Sequence, residues 1–406
     1  MLNRIIALFG QNSQTRNYAV LSSIDLETPK NERLRAFDTV MATNERAIIH
    51  KSDEDLEVEW YLHRGRKLAD QAHWAQLCEE IRHFDGIRAR TTGGLPISEL
   101  LTRGARSRIL APVKSAFKDQ DVKPSISGFL MMQAGAFGLD DDYAFSVLLA
   151  HAHMDASHLW YALADKDQTT AAYRAYSKHI DAAHSLLATA CAQNEKSPYL
   201  LAAQCRLLDH DFPHGQSSKQ LYTQLIELDP TTSQHLRDYG ASLINPQSQK
   251  QDLLEFEAVG VINKTRDVWG IGSYAWMYLD ALTKTASVYE KLDVAKFMEA
   301  TIDIFERQTD QHTVNMFAAL TAVSLSTPLG PRETSSAKRK RLQLHDTADW
   351  IVETHLREIH PRLWIDAAHW LKEDLAQAHE ETKLRRGEEI ALRVIDLQKS
   401  NKKKAV

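Results

Sequence analysis

Apolar residues recur at helical spacing along most of this chain. Between 54 and 84, Leu56, Trp60, His63, Leu68, Trp74, Leu77 and Ile81 approximate a 3.6-residue period, which predicts two helices divided near Arg66–Gln71. The turn cluster TTGGLPIS at 91–98 precedes a helix over 97–118, with Pro96 at its opening and Ser98 nearby as a polar cap. A second turn cluster, DVKPSISG at 121–128, leads to a helix over 138–163, where Asp140 or Asp141 suits the N-cap. Helices over 168–195 and 197–209 follow. Residues 1–53 are polar and loosely patterned, with one helix expected near 29–48. Nowhere do β-branched residues alternate between turns, so the expected sheet content is close to zero.

Between 165 and 325 the predicted helices come in pairs. Pro198 and Pro230 are 32 residues apart, and each is expected to open a helix carrying small residues: Ala202 and Ala203 in the first, Gly240 and Ala241 in the second. A third pair joins 252–262 to 273–282, and a fourth joins 295–308 to 312–325. The second helices start near 198, 231, 272 and 312, a spacing typical of stacked helical hairpins. Gly240 lies mid-helix, where glycine is tolerated if a neighbour packs closely. That neighbour is expected near Leu225, so Gly240→Leu should overpack, whereas Gly240→Ala should be mild or even stabilising.

The LIELDP stretch at 225–230 resembles the tetratricopeptide-like class, whose repeats close one helix and open the next hairpin around a proline. With Tyr239-Gly240, NPQSQKQDLLEFE and WGIGSYAWMYL, the region also resembles bacterial tetratricopeptide-like proteins without assigned function. The W-x2-L-G-x2-Y box of that class is missing. The resemblance covers about 165–325 and implies an all-α, right-handed α-solenoid of helical hairpins with a peptide-binding concave groove. It carries no catalytic residues. The resulting division is a lead-in at 1–53, an N-terminal helical region at 54–163, repeats at 164–325, a Ser- and Pro-containing linker at 326–341, and a capping C-terminal helical pair within 342–406. That linker should be nicked first by proteases.

Composition narrows the function. Only 16 Gly and 11 Pro among 406 residues leave room for few turns, and 43% hydrophobic with 25% charged residues excludes wholesale disorder. A net charge of −5 gives no global case for nucleic acid, and KRKR at 338–341 is a short basic run in a linker. The three cysteines, Cys78, Cys191 and Cys205, fit neither a disulfide framework nor a metal spacing. The apolar start IIALF is shorter than a secretory core, and no window approaches a membrane span, so a cytoplasmic protein without membrane association is expected.

Three groups of residues are candidates for chemistry. His151, Asp155 and His158 fall on one helix face and could supply ligands to a divalent metal, although no strict zinc motif is present. Arg88, Arg90, Arg103 and Arg106 cluster around the Gly93–Gly94 turn and suit an anion or an acidic partner. Tyr173, Tyr176, Tyr222 and Phe256 lie on first helices and could provide aromatic contacts for a bound peptide. The first-ranked expectation is a non-enzymatic scaffold or adaptor binding a protein or peptide partner, with no cofactor. A metal-dependent protein or enzyme centred on His151, Asp155 and His158 is the alternative. A third reading is an accessory subunit that dimerises through the C-terminal helix.

Overall fold

The computed structural model describes residues 46–118, 129, 138–139, 141–162, 171–193, 196–210, 218–244, 253–330, 333–372 and 374–405. They are mostly helical with almost no strand. The turn cluster at 121–128 and the side chains of Cys191, His210, Asp211 and His214 lie outside the described residues. So does the helix expected near 29–48, apart from Arg46–Ile48; of these, Ala47–Ile48 form a two-residue strand, β1.

α1 (Asp53–Asp70) opens with a capping box in which Ser52 Oγ accepts from Asp55 N–H, while the Asp55 carboxylate accepts from Ser52 N–H. α2 (Trp74–Gly86) follows, and then α3 (Ile97–Lys118), whose span matches the sequence pattern. α1 and α3 cross closely because each offers a glycine. A β-carbon on Gly65 would overlap the Leu101 carbonyl, and one on Gly104 would overlap that of Leu62. α4 (Tyr143–Tyr161) is capped by Asp142, not by Asp140 or Asp141, through Ala144 N–H at 2.9 Å. α5 (Ala171–Gln193) packs along α4, and α6 (Pro198–His210) follows. Buried Asp85 holds the start of α6 by accepting from Ser197 Oγ–H at 2.5 Å and Tyr199 N–H at 3.0 Å.

α7 (Ser218–Leu228) leads into α8 (Ser233–Leu243). Pro230 does not open α8 as expected. Asp229 instead accepts from the hydroxyls of Thr231 and Thr232, both at 2.6 Å, which makes the LDP segment a turn. α9 (Leu254–Trp269), α10 (Ser273–Leu279) and a single turn, α11 (Val288–Lys291), precede the pair α12 (Val294–Arg307) and α13 (Gln311–Ala322). Helix resumes at α14 (Ser335–Asp346), so the expected linker is structured over its last seven residues. KRKR lies on that helix, with Arg341 buried. The first helix of the C-terminal pair expected within 342–406 gives way to α15 (Ala348–Thr354) and β2 (Glu358–Ile359). The long terminal helix is likewise divided, into α16 (Pro361–Ala367) and α17 (Glu380–Ala405).

Two hydrophobic cores form. One gathers buried residues from Tyr61 to Leu207, the other from Leu201 to Ile395. The boundary runs through α6, with Tyr199, Leu200, Ala203 and Leu207 on one side and Leu201 and Cys205 on the other. The far edges of the two cores are tied together. β1 pairs in parallel with β2, matching Ala47 to Glu358 and Ile48 to Ile359. Arg46 donates to the carbonyls of Val352 (2.7 Å) and Leu356 (3.2 Å), and Arg362 meets Asp55 at 3.2 Å. An open solenoid keeps its ends apart, each contacting only its neighbour. Here the start and end of the described chain are clasped, so the C-terminal helices expected as a solvent-facing cap take part in the clasp.

Candidate functional site: a charged cavity at the seam

A partly open cavity of about 460 Å³ lies where the two cores meet. α4 supplies Met154, Asp155 and His158, and α6 supplies Ala202, Cys205 and Arg206. α7 adds Tyr222 and Leu225, and α8 adds Asp238, Ala241 and Ser242. Its larger apolar lining residues are core side chains: Met154 belongs to one core, and Cys205, Tyr222 and Leu225 to the other.

The charges in the wall are held by a relay of pairs. Arg106 on α3 donates through Nε to Asp155 at 2.5 Å, with the arginine side chain almost fully buried. Arg206 donates to Glu99 at 2.7 Å. Glu99 is held below the usual carboxylate range although burial opposes this, because Arg206 is paired to it and Arg106 and Arg103 lie near. The Glu99 carboxylate in turn raises the Arg206 guanidinium above its ordinary value. His158, at the rim, is lowered by burial against an opposing pull from Asp155. Behind the wall, His151 is buried with Nδ1 3.4 Å from Arg206 Nη1. An imidazole pair, His153 and His179, shares one hydrogen bond between their Nδ1 atoms at 2.8 Å, and Phe129 stacks on His153.

The residues expected from sequence are placed as follows. Asp155 and His158 do reach one cavity, but His151 lies behind its wall and Asp155 is already neutralised by Arg106. Among the described residues no three His, Cys, Asp or Glu side chains are grouped to hold a metal ion. The expected metal face is therefore an ion-paired cavity wall.

The anion site is also revised. The amides of the Gly-rich turn are already occupied: Gly93 N–H donates to Glu54 and Thr92 N–H to Glu57, at 2.5 and 2.6 Å. Arg88 donates to the Leu228 carbonyl, Arg106 is buried on Asp155, and Arg90 and Arg103 are exposed. These four arginines serve separate contacts.

Of the expected aromatic contacts, Tyr222 is a buried wall residue, stacked on Tyr239 at 4.9 Å between centroids. Phe256 is exposed, with Lys219 over its ring. Tyr173 and Tyr176 are half-buried and adjoin one another at 5.6 Å, beside exposed Tyr161. On α17, Gly387, Ala391 and Ile395 face inward, and Leu392 and Leu397 are exposed.

The residues that sequence reasoning did not single out are Arg206, Asp238 and Ser242 in the lining and Glu99, which pairs with Arg206. Each stands among apolar neighbours on an amphipathic helix, where a charged residue reads equally well as a solvated flank. No family model, no curated protein and no solved structure matches this chain. Among the described residues no helix is long and apolar enough to cross a membrane.

Proposed function

We propose that this protein is a non-enzymatic helical scaffold that receives a segment of a protein partner in the cavity between α4, α6, α7 and α8. The observation that carries this reading is the cavity itself. Its volume of about 460 Å³ falls within the range of specific ligand sites, roughly 300–1,000 Å³, and its wall mixes apolar surface with oriented charges. The paired charges hold the wall in one arrangement before a ligand arrives, which lowers the ordering cost of binding.

The tetratricopeptide-like reading of the scaffold draws support from how the first helices lie. α7 and α9 run side by side in the same direction, because Lys219 meets Glu257 near their starts and Lys264 meets Glu227 near their ends. α12 continues the series through Lys296 and Glu255 at 3.5 Å. The hairpins α7–α8, α9–α10 and α12–α13 then form successive units, bent into a clasped arc. A cytoplasmic setting suits this scaffold, since Cys78 is buried as a small core residue without a disulfide.

The test is display selection of random peptides on the full chain, with Ser242→Phe as the cavity-filling control. The expected result is a recurrent peptide motif whose capture by the parent is lost in Ser242→Phe at unchanged thermal stability. Failure to enrich any motif, or a motif captured equally by both proteins, overturns the reading.

A further inference from the structure

One wall carboxylate differs from the others. Asp155 in the lining has Arg106, and the nearby Glu99 has Arg206, but among the described residues Asp238 has no cation in contact. Its carboxylate accepts one hydrogen bond, from Gln234 Nε2 at 2.7 Å on its own helix. Arg206 is close enough to act on it through space, yet that guanidinium donates to Glu99. Arg237, the next residue, turns away to form two 2.8 Å bonds with Asp280. A carboxylate at the lining of a partly buried cavity, without a counter-ion, is costly in its charged form. Burial accordingly pushes Asp238 above the usual carboxylate range, and Glu99 adds to the shift, against Arg206, Gln234 and His235.

We propose that the cavity takes a primary ammonium or guanidinium group, seated on Asp238, with an aliphatic stem lying against Met154, Tyr222 and Leu225. The geometry supports both halves of such a ligand. Asp238 and Ser242 are one helical turn apart on α8 and share the cavity lining, so oxygen acceptors stand on one side. The apolar atoms of α4 and α7 line the cavity as well. Long basic side chains place a charged head and an apolar stem in this way. Asp155 is not the seat, because Arg106 already neutralises it. The inference rests on the cavity being the binding site proposed above, and it names the chemistry that the cavity selects. The same chemistry is offered by a lysine or arginine of a partner protein and by a free polyamine.

Calorimetric titration of the full chain tests it with three probes: spermidine, a capped Gly-Lys-Gly peptide, and the same peptide with norleucine replacing lysine. The lysine peptide or spermidine is expected to bind, and norleucine to bind at least about tenfold more weakly. Asp238→Asn should weaken the cationic probe by about tenfold, and Asp238→Glu should retain much of the binding, with thermal unfolding of all variants compared. Tighter binding of the peptide identifies a partner protein as the source; tighter binding of spermidine identifies a small cation. Equal binding of lysine and norleucine peptides, no binding of either cationic probe, or an unchanged affinity in Asp238→Asn overturns the inference. The two readings fail separately. Cavity-dependent peptides lacking a basic residue would sink the cation site and leave the scaffold. Asp238-dependent spermidine binding without any selected peptide would do the reverse.

Discussion

Gly240 on α8 packs against the backbone carbonyl of Met277 on α10, so closely that a β-carbon on the glycine would overlap that oxygen. The close neighbour is therefore α10, not the region of Leu225. This changes the expected effect of the smallest substitution. Gly240→Ala should destabilise by about 1–3 kcal/mol, because backbone cannot move aside as a flexible side chain can, and Gly240→Leu should cost more. Gly260 on α9 supplies the contrast. It meets nothing within 4 Å, so Gly260→Ala should stabilise by about 0.5–1 kcal/mol through helix propensity. Urea denaturation of the single variants checks both signs. An unaffected Gly240→Ala protein would mean that α8 and α10 do not cross at this point.

Arg341 shows why KRKR is not an exposed linker sequence. Its guanidinium is buried and bonds Glu333 at 2.6 and 3.2 Å and the Leu325 carbonyl at 2.5 Å. Glu333 is nearly as enclosed, with 6% of its side chain exposed. Removing the cation leaves a buried carboxylate alone, so Arg341→Ala should cost about 3–5 kcal/mol. Arg339→Ala, at an exposed position on the same helix, should fall within about 0.5 kcal/mol of the parent. Trypsin should also cut slowly after Arg341 in the folded protein. Rapid cleavage there would contradict the buried pair.

The His153–His179 pair sets an acid limit on stability. Burial lowers His153 to about 3, with His179 adding to the shift, and burial lowers His179 to about 4. In the unfolded chain both protonate near the ordinary value of 6.5. The unfolded state thus binds more protons below about pH 6.5, and stability falls as pH falls through that window towards about pH 4. His179→Leu should be less stable at neutral pH, since it strands His153 Nδ1, but its stability should decline less steeply between about pH 6.5 and about pH 4. Denaturant unfolding across that range measures the slope. Parallel slopes for parent and variant would show that the pair is not neutral in the fold.

What the sequence disclosed depended on the range of the interaction. α3 and α12 were legible nearly to the residue because periodic apolar positions and local caps set them. α9 and α10, expected as neighbouring helices, do pack on one another. The Asp142 cap was missed by one residue, since three consecutive aspartates offer equivalent oxygens and only the helix register chooses. The clasp of β1 on β2 left no trace, because a two-residue pairing between segments about 310 positions apart works through backbone groups alone. The cavity was half legible. The His151–Asp155–His158 spacing marked one helix face, of which Asp155 and His158 line the cavity, but Arg106, which pairs with Asp155, belongs to another helix 49 positions away. Tyr222, expected to face an open groove, is almost fully buried where it lines the cavity, because an aromatic residue on an amphipathic helix suits a core as well as a groove.

Asn315 provides the sharpest test of that clasp. Its side chain is fully buried on α13 and serves four partners. The amide nitrogen donates to the carbonyls of Gln311 (2.8 Å) and Glu358 (2.9 Å). The amide oxygen accepts from His360 N–H and from Trp364 Nε1–H, both at 2.9 Å. It therefore ties α13 to β2 and to the start of α16, the segment that pairs with β1. Asn315→Leu keeps the size but strands two buried N–H donors and the Glu358 carbonyl. Each orphaned group costs about 1–3 kcal/mol, so a total loss of at least about 3 kcal/mol is expected. The loss should be regional as well. Amide hydrogen exchange should accelerate at Ile49 N–H, which donates to the Ile359 carbonyl at 2.8 Å, before it does so in α3. An Asn315→Leu protein with parental stability and unchanged exchange at Ile49 would show that the closure of the chain does not depend on this amide.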